Sequence, residues 1–405
     1  MAAFYVRAEQ FPRKAGLDCR LFRACEHGHY DIVSSIGDMM APSMSRLFLT
    51  LFVGASYAAW IALRGPITGV DTGSYERWAD ALIAAHFHYV DYYTQQQFMI
   101  PLPLYSGWIT MVALSKMAAG SSWQLVLLAV NAAAITVTAW TIVSIATGWR
   151  RTAAAVALLA AGDLLLFAPY VLSDVLFMAV SAVTVAALIS RHPARTLAGG
   201  VLAAVTRPTS PPLLATVALR WCRVTRWAAA RPGIGVAVFG LVTLAVVTAH
   251  AVILQADILT GSPWITYVRS GYAAGAVITD RPATYLGAFT TVPGAIALTV
   301  LRMIAFFSPW APGYSTAHTA LNLVFFVPLY IACIRAVRRA DDREAVVTLL
   351  CYLLCVSGFH AMQEIDFDHR FRLPAIPALI MLATLRDGLP ATNTSDQRPQ
   401  IAQTC

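Results

Sequence analysis

Acidic side chains that could act as a general base stand beside long apolar runs at two points. The stretch GVDTGSYERWAD at 69–80 follows the first apolar run and carries Asp71, Glu76 and Asp80. Asp174 lies in the short turn YVLSDVL between two further apolar runs. A carboxylate in such a place can take the proton of a hydroxyl group as that group attacks a substrate. We therefore predict catalytic roles for Asp71 and Asp174.

Arginines that could bind a phosphate group lie in two other short segments. Arg370 and Arg372 belong to the run DFDHRFRLP, together with His369, and Arg207 belongs to the run TRPTSPP. The guanidinium fork binds phosphate oxygens in pairs and stabilises negative charge on a departing phosphate. These residue types predict the displacement of a phosphate leaving group by a hydroxyl, with all four side chains as substrate-binding residues.

Each of these residues also has a purely structural interpretation. Asp71 could be the N-cap of a helix over 74–85, or a solvated loop residue. Asp174 could cap a helix that begins at Val175. The arginines of DFDHRFRLP could reach towards the membrane interface, and the arginine of TRPTSPP could bind backbone carbonyls. These alternatives remain open at the level of sequence.

Further polar residues near these segments are expected to contribute less. Tyr75 and Gln97 are predicted to line the site as substrate-binding residues. Glu76 and Asp80 share a helix face at i, i+4, and solvation is the favoured interpretation for both. Asp163 lies inside an apolar run, and an acid at membrane depth is a functional candidate by default.

The composition places these residues in a membrane protein with an all-α fold. Hydrophobic residues make up 58% of the 405 residues, charged residues only 12%, and the mean hydropathy is +0.63. A soluble domain is about 25% charged, and a spanning helix needs ~20 apolar residues. Eight runs are predicted to cross: 47–63, 123–147, 152–172, 175–190, 233–254, 319–334, 345–361 and 371–385.

Arginine clusters predict the orientation, because short cytoplasmic loops carry an excess of basic residues. The clusters lie at 150–151, 191–195, 220–231 and 335–343. Both termini are then cytoplasmic, and the acidic segments face outwards. The apolar stretch 196–219 lies between two cytoplasmic clusters, so we predict a re-entrant pair of half-helices broken at TRPTSPP. The stretches 101–118 and 287–308 are predicted to be juxtamembrane or re-entrant helices on the outer side.

We expect one catalytic domain with a flanking segment at each end. Residues 1–46 are predicted to be a cytoplasmic N-terminal segment, or Met44 is the true start. Residues 47–386 form the polytopic membrane domain, and 387–405 form a disordered cytoplasmic tail. The net charge of +8 resides in loop arginines without interleaved aromatic residues, so no nucleic acid partner is expected. The seven cysteines include no CxxC pair and match no standard zinc spacing.

Several short features follow one another in a fixed order along the chain. They are the acidic loop with Asp71, Tyr75 and Ala79, the segment PLPLY at 101–105, Ser173-Asp174, Gly199-Gly200 followed by Thr206-Arg207-Pro208, and Arg370, Arg372, Leu373 and Pro374. This order resembles the GT-C superfamily of membrane glycosyltransferases, which includes protein O-mannosyltransferases and the aminoarabinose transferases of lipid A. The resemblance covers most of residues 45–385.

The resemblance implies a catalytic base in the first outer loop, which maps to Asp71. It also implies a polyprenyl-phosphate sugar donor, an acceptor on the periplasmic side, and inversion at the anomeric carbon. Asp71 is followed by Thr72, whereas many relatives carry Asp-Glu here, and the large soluble C-terminal domain of oligosaccharyltransferases has no counterpart. The expected location is the inner membrane of a bacterium. No cofactor is certain, and a divalent metal between Asp71 and Asp174 stays open.

Two other classes remain as alternatives. A secondary transporter or flippase for a lipid or glycan would also contain broken helices and intramembrane charge. Such proteins often show two related halves, and the sequence shows no internal repeat. A polysaccharide polymerase or ligase would share the lipid-linked substrate but is expected to carry a large polar outer loop late in the chain.

Overall fold

The computed structural model describes residues 42–90, 92, 105–255, 292–310, 314–362 and 369–385. The chain divides into two compact units, Met1–Ser45 and Arg46–Cys405. The described fold therefore belongs almost wholly to the second unit. The expectations for 1–41 and for the tail lie outside the described residues.

The described residues are helical and contain no β-strand, which confirms the all-α class. Two short 3₁₀ segments, Gly120–Ser122 and His369–Arg372, accompany the α-helices. The α-helices are α1 (Pro42–Arg64), α2 (Val70–Ala84), α3 (Ser106–Ala119), α4 (Trp123–Ile145), α5 (Arg150–Leu159), α6 (Gly162–Phe167), α7 (Asp174–Ile189), α8 (Pro193–Thr206), α9 (Pro211–Trp221), α10 (Val224–Ala230), α11 (Pro232–Gln255), α12 (Val292–Phe306), α13 (Thr316–Arg339), α14 (Arg343–Ala361) and α15 (Ala375–Ala383).

Helices long and apolar enough to cross a membrane confirm that this is a membrane protein. In the described part of the chain there are five: Met44–Arg64, Ser106–Ile145, Pro232–Ala249, Thr316–Arg339 and Arg343–Ala361. The longest combines α3 and α4, which meet at Gly120 with φ of +53°. Helix α11 exposes Val236, Leu241 and Leu244. An apolar helix surface left uncovered in this way suits contact with lipid.

Three of the predicted crossings are not single helices long enough to span a membrane. The run 152–172 forms α5 and α6, separated by a break at 160–161, instead of one helix. Helix α7 has 16 residues and α15 has 9. At ~1.5 Å per residue, a helix as short as α15 spans far less than the ~30 Å hydrocarbon core of a bilayer. The total of eight crossings stays a prediction.

The predicted helix break at TRPTSPP is confirmed. Helix α8 ends at Thr206, Arg207 is extended with φ of −156°, and α9 begins at Pro211. Pro208 disfavours helical backbone at the residue before it. Proline at the first turn of α9 needs no amide hydrogen there, so the same residues that end one helix start the next. The break holds Arg207 at a point where two helices meet.

Residues from the predicted cytoplasmic clusters contact one another. Glu344, at the start of α14, pairs with Arg191 Nη2 at 3.0 Å and also with Arg220. Arg150 Nη1 donates to the carbonyl of Leu385, just beyond α15, at 2.6 Å. The loops predicted to share one side of the membrane therefore meet in contacts among themselves.

The loops before α2 and α7 are joined by a parallel β-bridge. The Ile67 amide donates to the Pro169 carbonyl at 3.0 Å, and the Val171 amide donates to the Ile67 carbonyl at 3.0 Å. Asn131, fully buried on α4, donates from Nδ2 to the carbonyls of Ala168 and Tyr170 at 3.1 and 2.8 Å. This pairing brings together the two acidic segments of the sequence.

Gly199 lets α8 approach α7 closely, which gives a stability prediction. A Cβ added at Gly199 would collide with Thr184 Oγ1, whose hydroxyl already donates to the Val180 carbonyl at 2.7 Å. We expect Gly199→Ala to lower the free energy of unfolding by about 1–3 kcal/mol. Thermal unfolding in detergent measures this, with Gly240→Ala as the control because nothing lies within 4 Å of that site. Equal melting temperatures for both variants would contradict the close packing.

Candidate active site

Asp71 lies in the first turn of α2, not at its N-cap. Gly69 is the N-cap residue and the helix begins at Val70. Thr72 holds this start in place, because its Oγ1 accepts from the Gly69 amide at 3.0 Å and donates to the Val171 carbonyl at 3.2 Å. The N-cap and solvated-loop interpretations of Asp71 are therefore wrong. Its carboxylate is free of backbone capping and can act on other groups.

Asp71 forms an ion pair with Arg370. The Arg370 Nη1 to Asp71 Oδ2 distance is 2.6 Å, and the two side chains are 17% and 37% exposed. Arg370 belongs to the 3₁₀ turn His369–Arg372 that precedes α15. The structure thus joins an acid and an arginine separated by most of the chain, as the site predicted from the sequence requires. Because both side chains retain exposure, this pair is accessible to a ligand.

Asp174 forms a second, buried ion pair with Arg207. Their side chains are 2% and 3% exposed. Arg207 Nη1 also donates to Ser173 Oγ at 3.3 Å. Ser173 is the N-cap residue of α7 and Asp174 is its first residue, so Asp174 does not occupy the capping position. Its second oxygen, Oδ2, is buried without a hydrogen-bond partner.

Phe371 contacts an arginine of each ion pair. The guanidinium carbons of Arg370 and Arg207 are 5.0 and 5.3 Å from the centroid of its ring. Cations at this distance are attracted by the electrons of an aromatic face. The ring therefore attracts both guanidinium groups. The result is one cluster of two acids, two arginines and an aromatic ring.

Tyr75 completes the cluster on the α2 side. Its ring is buried, and its hydroxyl donates to Tyr105 Oη at 3.2 Å. Burial raises the pKa of the Tyr75 phenol well above its ordinary range; Tyr105 adds to that rise and Arg207 opposes it. The phenol therefore stays protonated at all physiological pH values. Trp78 and Trp108 pack edge-on against the Tyr75 ring, at centroid distances of 5.9 and 6.1 Å.

The remaining predicted site residues lie outside this cluster or outside the described residues. Gln97 falls in the undescribed stretch 93–104. His369 begins the 3₁₀ turn next to Arg370. Arg372 is only 1% exposed and is held in a different ion pair. The described structure thus places it in a buried contact away from the Asp71–Arg370 pair, and its role in substrate binding stays a prediction.

The partner of Arg372 is Asp163, which the sequence marked as an intramembrane acid. Arg372 Nε and Nη2 lie 2.8 and 2.6 Å from Asp163 Oδ2. Asn322 Nδ2 donates to Asp163 Oδ1 at 3.2 Å, and His318 Nε2 lies 3.4 Å from the same oxygen. Arg372 also donates to the Ser308 carbonyl. This network, in which Asp163, Asn322 and Arg372 are buried, ties α6, α13 and the turn before α15 together.

Glu76 and Asp80 pair with a lysine rather than standing free in solvent. Lys116 Nζ lies 3.3 Å from Glu76 Oε1 and 2.5 Å from Asp80 Oδ1. The shared helix face is confirmed, since one cation contacts both acids. These exposed pairs join α2 to α3 and leave Asp71 as the acid of α2 that faces the cluster.

In the described part of the chain, the two acids of the cluster have no third candidate metal ligand grouped with them. Among the described residues, no group of three or more His, Cys, Asp or Glu side chains could hold a metal ion. Asp71 and Asp174 each face an arginine, so their negative charge is already compensated. A divalent ion would have to displace those arginines, and the described residues do not fit one.

Comparisons with protein-family models, with curated proteins and with solved structures gave no match.

Proposed function

We propose that this chain is a membrane glycosyltransferase of the GT-C type. It moves a sugar from a polyprenyl-phosphate-linked donor to a lipid, glycan or other acceptor on the periplasmic face of a bacterial inner membrane. Asp71 is the general base, Arg370 binds the phosphate, and the Asp174–Arg207 pair lies behind them. The alternative is a transporter or flippase for a similar lipid.

The observation that carries the proposal is the Asp71–Arg370 contact at 2.6 Å beside the buried Asp174–Arg207 pair. These four residues come from four separate segments of the chain and lie in one cluster. Their types and their order along the chain predict this chemistry. An enzyme that displaces a phosphate needs a base and a cation within one site. The exposed pair offers both groups to a ligand.

In the proposed reaction the acceptor hydroxyl oxygen attacks the anomeric carbon of the sugar. Its proton passes to the Asp71 carboxylate as the new glycosidic bond forms. The bond from the anomeric carbon to the phosphate oxygen breaks, and the polyprenyl phosphate departs with the electron pair. Arg370 stabilises the negative charge on that phosphate. One displacement of this kind inverts the anomeric configuration, and no general acid is required.

The grouping of the charged loops supports the sidedness of the proposal. Arg191 and Arg220, which belong to two predicted cytoplasmic clusters, both pair with Glu344, which directly follows a third. Asp71, Asp174 and Arg370, which belong to the predicted outer segments, lie in the other cluster.

A specific observation also favours the transporter alternative. The Asp163–Arg372 network is buried at the break between α5 and α6, and intramembrane charge beside interrupted helices is frequent in transporters. Its side chains are 0% and 1% exposed. A transporter needs such groups to become accessible during its cycle, whereas an enzyme can use them as a fixed tie.

The experiment that separates these classes uses the protein reconstituted in liposomes of bacterial membrane lipid extract, which supplies acceptor hydroxyl groups, with a panel of polyprenyl-phosphate sugars. The proposal predicts that one donor is cleaved, with release of polyprenyl phosphate and formation of a glycoside of inverted configuration. The same liposomes report movement of intact donor between leaflets. Movement without cleavage would establish the transporter class instead, and cleavage with retained configuration would contradict the single displacement.

A further inference from the structure

The two ion pairs of the cluster differ in their access to solvent. The Asp174–Arg207 pair is sealed, with side chains 2% and 3% exposed. The Asp71–Arg370 pair is open, at 37% and 17%. A ligand can therefore reach the second pair without unfolding the first. The two arginines share the Phe371 ring, so Arg370 keeps a fixed position when its acidic partner changes.

We infer that the Asp71–Arg370 pair is a latch which the phosphate of the sugar donor opens. The inference rests on the proposed function and adds to it an order of events. In the free enzyme Asp71 occupies the guanidinium group that the phosphate needs. When the phosphate binds Arg370, the Asp71 carboxylate is released and becomes available to the acceptor hydroxyl.

The energetics of exposed ion pairs make the exchange feasible. A partly exposed pair is held weakly, because water screens it and each side chain loses freedom on pairing. The phosphodiester of a polyprenyl-phosphate sugar carries one negative charge, as a carboxylate does, and can use two oxygens on one guanidinium. The replacement conserves the charge balance at Arg370. The buried Asp174–Arg207 pair does not exchange partners in this way, because each charge would be left buried without a partner or water.

The latch has a consequence that a simple base does not have. Asp71 competes with phosphate for Arg370, so its removal strengthens phosphate binding while it abolishes proton transfer. A base that only accepts a proton would leave phosphate affinity unchanged. An acid that merely repels phosphate would weaken binding whether Arg370 is present or not. The dependence of the Asp71 effect on Arg370 therefore identifies the latch.

The test measures binding of farnesyl phosphate to the full-length protein in detergent, with farnesol as the uncharged control. The variants are Asp71→Asn, Arg370→Gln, both together, and Glu76→Gln. The last removes the same charge from α2, but its carboxylate pairs with Lys116 rather than with Arg370. Melting temperatures confirm that each variant is folded.

We expect Asp71→Asn to bind farnesyl phosphate about two- to fivefold more tightly than the wild type, the range expected for release of an exposed ion pair. Glu76→Gln should bind as the wild type does. In the Arg370→Gln background, Asp71→Asn should add no affinity, and farnesol should bind all variants equally.

Two results would overturn the latch while leaving the proposed function in place. One is unchanged affinity in Asp71→Asn together with weakened binding in Arg370→Gln. The other is equal tightening by Asp71→Asn with and without Arg370, which would indicate simple repulsion. If Arg370→Gln binds farnesyl phosphate as tightly as the wild type, the phosphate role of Arg370 fails, and with it both the latch and the support for the proposed function.

Discussion

Asp71→Asn is expected to lower the rate of sugar transfer by about 10²- to 10⁴-fold, the usual contribution of a general base. An amide has the size of the carboxylate but cannot accept the proton of the acceptor hydroxyl. The variant should stay folded, because the lost partner is an exposed ion pair worth about 0–1 kcal/mol. The loss should therefore appear in kcat, not in the amount of protein in the membrane.

The measurement is transfer in proteoliposomes at saturating sugar donor, using the donor identified by the panel. Glu76→Gln is the matched control, since it removes an acid from the same helix that pairs with Lys116 instead of Arg370. It should retain nearly the full rate. Asp71→Glu should recover part of the activity, because the carboxylate returns at a shifted position. Transfer by Asp71→Asn at the wild-type rate would eliminate Asp71 as the base and direct attention to Asp174.

The cluster could be predicted from the sequence because the residues next to each acid and arginine determine where helices begin and end. Asp71 and Asp174 each stand at the start of a helix that follows a short loop. Arg207 is followed by Pro208, which forces a break at that point. Arginine clusters then sort the loops by side, so residues on one side can be expected to meet.

The roles of Arg370 and Arg372 could not be distinguished in the same way. The two residues lie in one 3₁₀ turn, and their types are identical. Yet Arg370 contacts an exposed acid while Arg372 contacts Asp163, which lies 209 positions away in the chain. Two neighbouring side chains of a tight turn point in different directions. Which arginine contacts which acid depends on tertiary packing, and the local sequence does not determine it.

The break between α5 and α6 shows a similar limit. Hydropathy reports the length of an apolar run, whereas helix continuity depends on what surrounds the backbone. Tyr57 Oη on α1 donates to the Leu158 carbonyl at 2.8 Å, and Trp60 Nε1 donates to the Leu165 carbonyl at 2.7 Å. Side chains of another helix thus bind carbonyls on both sides of the break. Irregular backbone within a membrane protein is tolerated only with such partners.

The largest expected effect on stability belongs to the Asp163–Arg372 pair. Replacing either residue by alanine should cost about 3–5 kcal/mol, because the remaining charge is left buried without its partner. A loss of this size is a large part of the ~5–15 kcal/mol that stabilises a typical protein. We expect little folded protein from Arg372→Ala at growth temperature, and a strongly lowered melting temperature for Asp163→Ala.

A double variant separates the penalty of an unpaired charge from the value of the pair. Asp163→Leu with Arg372→Met removes both charges together and should be more stable than either alanine variant. Recovery should be incomplete, since the Ser308 carbonyl loses the guanidinium donor. Asp80→Asn is the control, because its pair with Lys116 is exposed and should contribute less than about 1 kcal/mol.

Melting temperatures in detergent measure this series, and transfer assays on the surviving variants complete it. A double variant that is folded and still transfers sugar would establish Asp163–Arg372 as a structural tie. A double variant that is folded but inactive would mean that the buried charges take part in function, as the transporter alternative requires. These experiments would distinguish the two ion pairs formed by Arg370 and Arg372. Loss of Asp71 abolishes activity in a stable protein, whereas loss of Asp163 prevents the protein from folding stably.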